Sequence, residues 1–491
     1  MSQLAVLNTP INRRRLLVFS AAGALALSPV VRRAAFAAVD SSVTTTDLGT
    51  FFDPAVIHEL ALEFDQDDFE AMVTTFKEQD KKEWIEATVT IDGKTYEKSG
   101  IRLKGNSSLG FVGTESAAEL PNDAPPMASP EASGPMLTTD GEGGGGVDFD
   151  IPQELPWLVR LDKYVKKQAH DGVTEFAIRS NMNGYLLNEV VSLDLLAEAG
   201  LASQRAAYGS LTVNGSDPVL RLTVETPGDA WMAVHFSADG LLFKSDADGD
   251  WSYNGDDPTA YTGSFDLEAG GTGDDAVDYE SIVEWLDFVN NSDDAAFQAD
   301  LATRLDLPAF TTYLAMMDLL QNDDDISGPG NNSYLYFAPD TGQVTVVPWD
   351  MNLSFAMALA AGRTMRGGGA GPVFTTEPGG AGPSGTPVVI INGEVVSGTP
   401  QAGMMPGGEG GPAGRMGGFN PLVTRFDEVD EFTAQVESAT AEWKEKLFTS
   451  GRAEALLDTW VTLLQNNAGT LVDAANLDEQ AEAMRTTIKE S

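Results

Sequence analysis

The chain has 491 residues, more than one small core accommodates, so two lobes or two domains are expected. Its 74 acidic against 30 basic residues leave a net charge of −44, which repels phosphate and argues against nucleic acid as a partner while suiting solubility at high salt. The absence of cysteine excludes disulfides, thiol nucleophiles and thiolate metal sites, and the three histidines, His58, His170 and His235, are too scattered for zinc-ligand spacing.

In chain order, Asn12-Arg13-Arg14-Arg15-Leu16-Leu17 fits a twin-arginine pattern, followed by an apolar run from Val18 to Val31 and by Ala35-Phe36-Ala37, a small-x-small cleavage site. The run is too short to span a bilayer comfortably, so residues 1–37 read as a Tat-type signal removed on export. An uncleaved anchor is the competing reading. No later segment has the length and hydropathy of a span, which predicts a secreted or envelope-associated protein with no stable membrane span after signal removal.

Residues 38–50 are a Ser/Thr linker. Val56 to Leu62 reads as a strand and Asp65 to Phe76 as a helix capped by Asp65. Ala87 to Asp92 and Tyr96 to Leu103 form a hairpin about the turn Asp92-Gly93. Residues 110–150, rich in Pro, Gly and Ser, read as a flexible insertion. Trp157 to Leu161 resumes as a strand, Leu186 to Ala199 is an amphipathic helix closed by Gly200, and Ala207 to Val213 with Val219 to Glu225 make a second hairpin around Asn214-Gly215. From residue 226 the chain reads as mostly helical, with helices over 281–288 and 307–320, a small hairpin (334–337 and 344–347) ending in Pro348-Trp349-Asp350, and helices over 428–447 and 453–465. Residues 359–418 form a Gly/Met-rich insertion in which 388–393 suggest a small hairpin, and residues 476–491 are taken as a tail. The resulting expectation is an α+β fold with a sheet-rich lobe over 51–225, a helical catalytic lobe over 226–475 and a cleft between them.

Asn322-Asp323-Asp324-Asp325 and Asp350 concentrate carboxylates in a loop and at a strand end, where a hard divalent cation relieves their repulsion. Phosphoryl transfer needs such a set: carboxylate and Asn ligands for metal on the phosphates, and a carboxylate to orient the attacking hydroxyl. Asn331 and Asn332 stand where a second metal ligand is expected. A solvated acidic loop is the alternative from composition alone. Gly100 to Ser108 joins a strand to a Gly/Ser turn whose backbone N–H groups, with Arg102 or Lys104, suit a phosphate, although it is neither a Walker A nor a G-x-G-x-x-G sequence. Residues 246–257 depart from a calcium loop, with no Gly at the turn position and Asp257 rather than Glu at the last ligand position. No G-x-S-x-G elbow supports a serine hydrolase.

Taken in order, these segments resemble the CotH (spore coat protein H) kinase family. The resemblance runs through Arg102-Leu103-Lys104-Gly105-Asn106-Ser107-Ser108, Leu161-Asp162-Lys163-Tyr164-Val165, Leu187-Asn188-Glu189, Val213-Asn214-Gly215 with Glu225, Leu242-Phe243-Lys244 and Trp251-Ser252-Tyr253. It continues through Asn322-Asp323-Asp324, Asn331-Asn332-Ser333-Tyr334, Val347-Pro348-Trp349-Asp350 and Asn420-Pro421-Leu422, over roughly residues 50 to 470. It implies an atypical protein-kinase-like two-lobed fold and ATP-dependent, Mg²⁺- or Mn²⁺-dependent transfer to Ser or Thr of a protein acceptor. By motif, Asp324 is the catalytic Asp, Asp350 the metal-binding Asp and Asn332 or Asn331 the second metal ligand. Glu189 is the helix Glu that pairs with a phosphate-binding cation, for which Arg160 or Lys163 are the candidates and Arg102 and Lys104 the alternatives. Asn106 and Ser107 fall in the phosphate turn, and Glu225 near the hinge and the adenine. Leu220-Arg221-Leu222 replaces the family's Gly-Leu-Tyr before Glu225, and no Trp separates Asn322 from Asp324, which leaves Asp323 and Asp325 as rivals. The competing function is a pseudokinase or cation-binding structural protein of the envelope or spore coat.

Overall fold

The computed structural model describes residues 50–105, 109, 148–180, 184–246, 249–328, 330–355, 389–391, 394–396 and 420–491. The signal, most of the linker and nearly all of both insertions therefore lie outside the described residues.

The first half is organised by strand pairing. Strands β1 (Ile57–Phe64), β2 (Ile85–Ile91), β3 (Lys94–Leu103), β4 (Trp157–Arg160), β5 (Glu175–Ile178), β6 (Ala206–Val213) and β7 (Val219–Glu225) close into a barrel in the order β1-β2-β3-β4-β5-β7-β6. All neighbours are antiparallel except β1 and β6, whose parallel pairing closes the ring. Closure removes the exposed edges that an open sheet would leave. The turn between β2 and β3 has φ of 49° at Asp92 and 77° at Gly93, the positive pair that a two-residue hairpin demands. Asn214 and Gly215, at 48° and 77°, repeat the solution between β6 and β7.

Alternation along β3 buries Ile101 and Leu103 inside the barrel, so Gly100, Arg102 and Lys104 share the outer face. Helix α1 (Gln66–Gln79) starts at Asp65, whose carboxylate accepts from the N–H groups of Asp67 and Asp68, and buries Phe69, Met72, Val73 and Phe76 in the barrel's own core. Helix α2 (Asn188–Glu198) leaves the barrel between β5 and β6, and its apolar residues belong to the second core instead.

The second half corrects the helical expectation, because it contains a four-stranded antiparallel sheet. Strands β8 (Leu241–Ser245), β9 (Phe265–Ala269), β10 (Ser333–Phe337) and β11 (Val344–Pro348) are ordered β11-β10-β8-β9. Helix α3 (Asp229–His235) precedes β8, and between β9 and β10 run α4 (Asp275–Asp278), α5 (Glu280–Asn291), α6 (Asp294–Arg304) and α7 (Leu307–Leu319), the last capped by Asp306 through Ala309 N–H. The suggested hairpin in the second insertion is present as strands over 389–391 and 394–396.

Helices α8 (Pro421–Asp427), α9 (Asp430–Trp443), α10 (Arg452–Asn467) and α11 (Ala474–Glu490) complete the chain, with a π-helical stretch, Lys444–Thr449, between α9 and α10. The tail assigned to 476–491 is thus a correction: it is a packed helix that buries Leu477, Ala481, Met484 and Ile488. Gln480 on α11 accepts from Leu186 N–H at 2.8 Å and donates to Gly184 O at 2.8 Å, so the last helix fixes the entry to α2. Trp460 on α10 donates to Asp194 of α2 at 2.7 Å, a second clamp on the same helix.

Candidate active site in the cleft between barrel and sheet

The chain leaves α7 through Gln321, in the left-handed region at φ 52°, and Asn322 N–H then bonds Met317 O at 3.0 Å. Three consecutive carboxylates follow with different surroundings. Asp323 is exposed, and burial together with Asp318 raises its pKa. Asp325 is buried and accepts from Ser327 N–H at 2.8 Å, shaping the loop. Asp324 is half-buried, and burial together with the Asp350 carboxylate raises its pKa. Asn332 donates to the Asp324 carbonyl at 3.0 Å and itself accepts from Asn331 at 3.1 Å, so both asparagines stand beside Asp324.

Asp350 follows β11 and Trp349. Its backbone is left-handed, φ 60° and ψ 61°, a conformation that costs a non-glycine residue about 1–3 kcal/mol and must be imposed by its surroundings. Those surroundings are bonds on either side. Gln204 donates to Pro348 O at 3.0 Å, Trp349 N–H to Asn332 O at 3.3 Å, and the Asn188 amide to Asn352 O.

Arg179 stands at the exit of β5, its N–H bonded to Leu222 O at 2.8 Å. Its guanidinium lies 2.5 Å from Glu189 and 3.1 Å from Asp350, over the Trp349 ring at 5.0 Å from the centroid. One planar cation thus joins the barrel, α2 and the carboxylate end of β11, a task for which the guanidinium fork is suited. Burial pushes the Glu189 carboxyl up, and Arg179 opposes that shift.

Further cations stand beside these groups. Lys104 also lies over Trp349, at 5.1 Å, and burial with the nearby Arg179 lowers its ammonium to about 8. Lys244 on β8 donates to Ser245 O at 2.6 Å and to Asn331 O, and burial with Lys104 lowers it to about 8. Opposite them, burial and Glu175 raise Glu268 on β9 to about 7, although Glu268 is solvent-exposed and water tempers that shift.

The structure brings together Asp324, Asp350, Asn332, Asn331, Glu189 and Lys104 from the expected set. It corrects the cation opposite Glu189, which is Arg179 rather than Arg160 or Lys163. Arg160 is engaged by Asp162 at 3.0 Å and Glu175 at 3.9 Å, and Lys163 lies over the Trp84 ring at 4.7 Å. Arg102 also faces Trp84, at 5.1 Å. Glu225 is held by Arg205 through bonds of 2.5 and 3.0 Å, which engages the carboxylate expected near the adenine. Asn106 and Ser107 lie outside the described residues.

Arg179, Lys244 and Trp349 are the cleft residues that sequence reasoning left without a role. The signal for Arg179 was a short apolar run, Phe176-Ala177-Ile178, ending in a cation ten residues before Glu189. Among the described residues no group of three or more His, Cys, Asp or Glu side chains is arranged to hold a metal ion. Asp324 and Asp350 are a pair with amide oxygens nearby, which fits a cation whose remaining ligands are phosphate oxygens and water rather than an all-protein cage. No helix among the described residues is long and apolar enough to cross a membrane.

Residues 148–489 match the family model described as CotH kinase protein. The match begins after β3, so the Arg102 to Ser108 segment lies outside it. The chain is also similar to the inner spore coat protein H of Bacillus subtilis (strain 168), at 25% identity over 175 residues, 35% of this chain. That alignment covers 46% of the relative, so the chain spans about half the length of the curated protein it matches.

Proposed function

The chain belongs to the CotH kinase protein family, and from that membership and the cleft geometry we propose that it transfers the γ-phosphoryl group of ATP to a Ser or Thr hydroxyl of a protein. The barrel and the helix-rich half act as the two lobes of a kinase-like fold, with the nucleotide between them. A single relationship supports the reading best: Arg179 pairs with Glu189 on α2 while facing Asp350, and the charge of that same carboxylate acts on Asp324.

Bound Mg²⁺ or Mn²⁺ supplies charge neutralisation on the phosphate oxygens, and Asp350 with Asn332 or Asn331 are the residues that would hold it. Asp324 orients the acceptor hydroxyl and accepts its proton. The bond from the γ-phosphorus to the ADP oxygen breaks as the bond to the acceptor Oγ forms. A raised carboxyl pKa suits a base that must take and release that proton. Arg179, Lys104 and Lys244 balance the phosphate charge.

The leader over 1–37 and the relative's spore-coat designation support export to the envelope or coat. A second reading, a pseudokinase or cation-binding scaffold of that layer, is favoured by one observation: Arg179, 3.1 Å from Asp350, competes with a metal ion for that carboxylate. Transfer of labelled γ-phosphate to the chain itself or to a generic protein acceptor, lost in Asp324→Asn, supports the kinase. Absence of both transfer and nucleotide-induced thermal stabilisation overturns it in favour of the scaffold.

A further inference from the structure

Outside the cleft, the outer face of β3 carries a feature that the transfer chemistry does not use. Trp84 lies against it with two cations on one indole, Arg102 at 5.1 Å and Lys163 at 4.7 Å from the ring centroid. Gly100 makes this possible. A Cβ there would stand 2.6 Å from Lys163 Cγ and 3.0 Å from Trp84 Cε3, so any larger residue would displace both. The Tyr164 hydroxyl reaches Trp84 O at 3.4 Å, tying the loop after β4 onto the same platform.

Neither Arg102 nor Lys163 has an ion-pair partner among the described residues, and Arg102 Nε is buried with no hydrogen-bond partner there. Burial, Arg160 and Arg102 lower the Lys163 pKa, the signature of crowded like charges, while the nearby Glu175 is shared with Arg160. The loop adds to the excess. Residues 160–168 hold four cations and one acid, in a chain where acids outnumber bases 74 to 30. Tyr164 and Val165 are 46% and 39% exposed, among the few large apolar side chains left open in the described residues. Aromatic and cationic side chains at one exposed place are the composition of a recognition surface.

We propose that this platform docks an acidic segment of the protein acceptor, with carboxylates over Arg102 and Lys163 and an apolar side chain against Tyr164 and Val165. The inference rests on the kinase reading for the word acceptor, and on the platform alone for the acidic segment. Arg102 on β3 and Lys104 just past its end are successive outward residues, about 7 Å apart, so a peptide lying on the platform leads towards Lys104 and the candidate site. The platform is short and set in a chain of net charge −44, so a long polyanion or an anionic bilayer would be repelled beyond its edges, whereas a brief acidic stretch would not.

Fluorescence anisotropy of three labelled Ser-containing peptides, rich in Asp/Glu, neutral, or rich in Lys, tests this with the full chain and no ATP. The expected result is saturable binding of the acidic peptide alone, weakened about tenfold by Lys163→Glu with Lys166→Glu and by raised salt, as for a charged rim contact. The variant should melt like the parent and keep its nucleotide-induced stabilisation. Equal binding of all three peptides, or acidic binding unchanged in the variant, overturns the proposal. So does equal or tighter binding of a single-stranded DNA oligomer or of phosphatidylserine vesicles, which would make the surface a general polyanion or membrane site. Because the readout needs no nucleotide, lost transfer with intact peptide binding indicts the kinase reading, and the reverse indicts the docking surface.

Discussion

Arg179 Nη1 lies 3.1 Å from Asp350 Oδ1, in a side chain pair that joins the exit of a barrel strand to the end of a strand in the other sheet. Because the other arm of the guanidinium holds Glu189 at 2.5 Å, the positions of β5, α2 and β11 are set by one cation. Asp350 needs such support, since its left-handed backbone is held by its neighbours and not by its own preference.

Replacing Arg179 by Met should therefore act first on stability. It leaves the buried Glu189 carboxylate without its cation, which costs about 3–5 kcal/mol when one partner of a buried pair is removed. Urea unfolding should show a lower midpoint with an unchanged slope. Glu189→Gln added to Arg179→Met should recover part of the loss, and Arg179→Lys should fall between parent and Met because it keeps charge without the fork. An unchanged midpoint in Arg179→Met would mean that the pair contributes nothing to the fold.

Gly330→Ala should impair the loop that carries Asp324. Gly330 has φ 82°, and a Cβ there would stand 2.5 Å from Trp251 Nε1 and 2.8 Å from Asn420 Nδ2. Asn420 caps α8 through Leu422 N–H at 3.0 Å and cannot retreat without releasing that helix. The strain should cost about 1–3 kcal/mol, and transfer should fall further than melting does, since Asn331 and Asn332 follow at once. A variant with parental melting and parental transfer would sink this account of the loop.

Much of this arrangement was legible from pattern. Both two-residue turns, the Asp65 and Asp306 caps and the hairpin ending at Asp350 follow from local chemistry that packing does not override. The four-residue strand β5 and the strands β8 and β9 were not read, because each is too short for period-two alternation to stand out from a buried run. Missing β5 also hid Arg179, and so the cation was sought on the preceding segment, at Arg160 and Lys163. Helices are expected from Phe419 to the end, but residues 476–491 are taken as a tail rather than a packed helix because their mean character is polar and only one stripe, Leu477, Ala481, Met484 and Ile488, is buried. Barrel closure depends on the parallel pairing of β1 with β6, a contact between distant segments that no local signal announces.

The two cleft lysines give a pH dependence with opposite signs in two measurements. Burial and, respectively, Arg179 or Lys104 lower Lys104 and Lys244 from 10.5 to about 8. Between those values the unfolded chain binds more protons than the fold, so their contribution to the stability of the nucleotide-free protein rises as pH rises from about 8 towards 10.5. Over the same window the ammonium charge that would meet phosphate is lost. Nucleotide-induced stabilisation, about 2.7 kcal/mol at a hundred times the dissociation constant, should therefore shrink above about pH 8. Lys104→Gln and Lys244→Gln should each flatten the profile. A stabilisation that holds constant from neutral pH to well above this window would remove both lysines from phosphate binding.

Three adjacent carboxylates do different work, and single Asn substitutions separate them. Asp325→Asn keeps an oxygen able to accept from Ser327 N–H, so it should cost little, whereas Asp325→Ala should lose about 1–2 kcal/mol with the loop's turn. Asp323 is exposed and couples to Asp318, so Asp323→Asn should leave melting and transfer at parental levels. Asp324 is coupled to Asp350 and bonded at its carbonyl by Asn332. Asp324→Asn preserves shape and removes the proton acceptor, which should lower transfer of labelled phosphate by about 10²–10⁴-fold while nucleotide-induced stabilisation persists. Asp350→Ala should show the converse, loss of that stabilisation together with transfer, if its carboxylate holds the metal on the phosphates as proposed. Transfer abolished by Asp323→Asn and retained in Asp324→Asn would reassign the base to the neighbouring residue and, with it, the face of the loop from which the acceptor hydroxyl approaches.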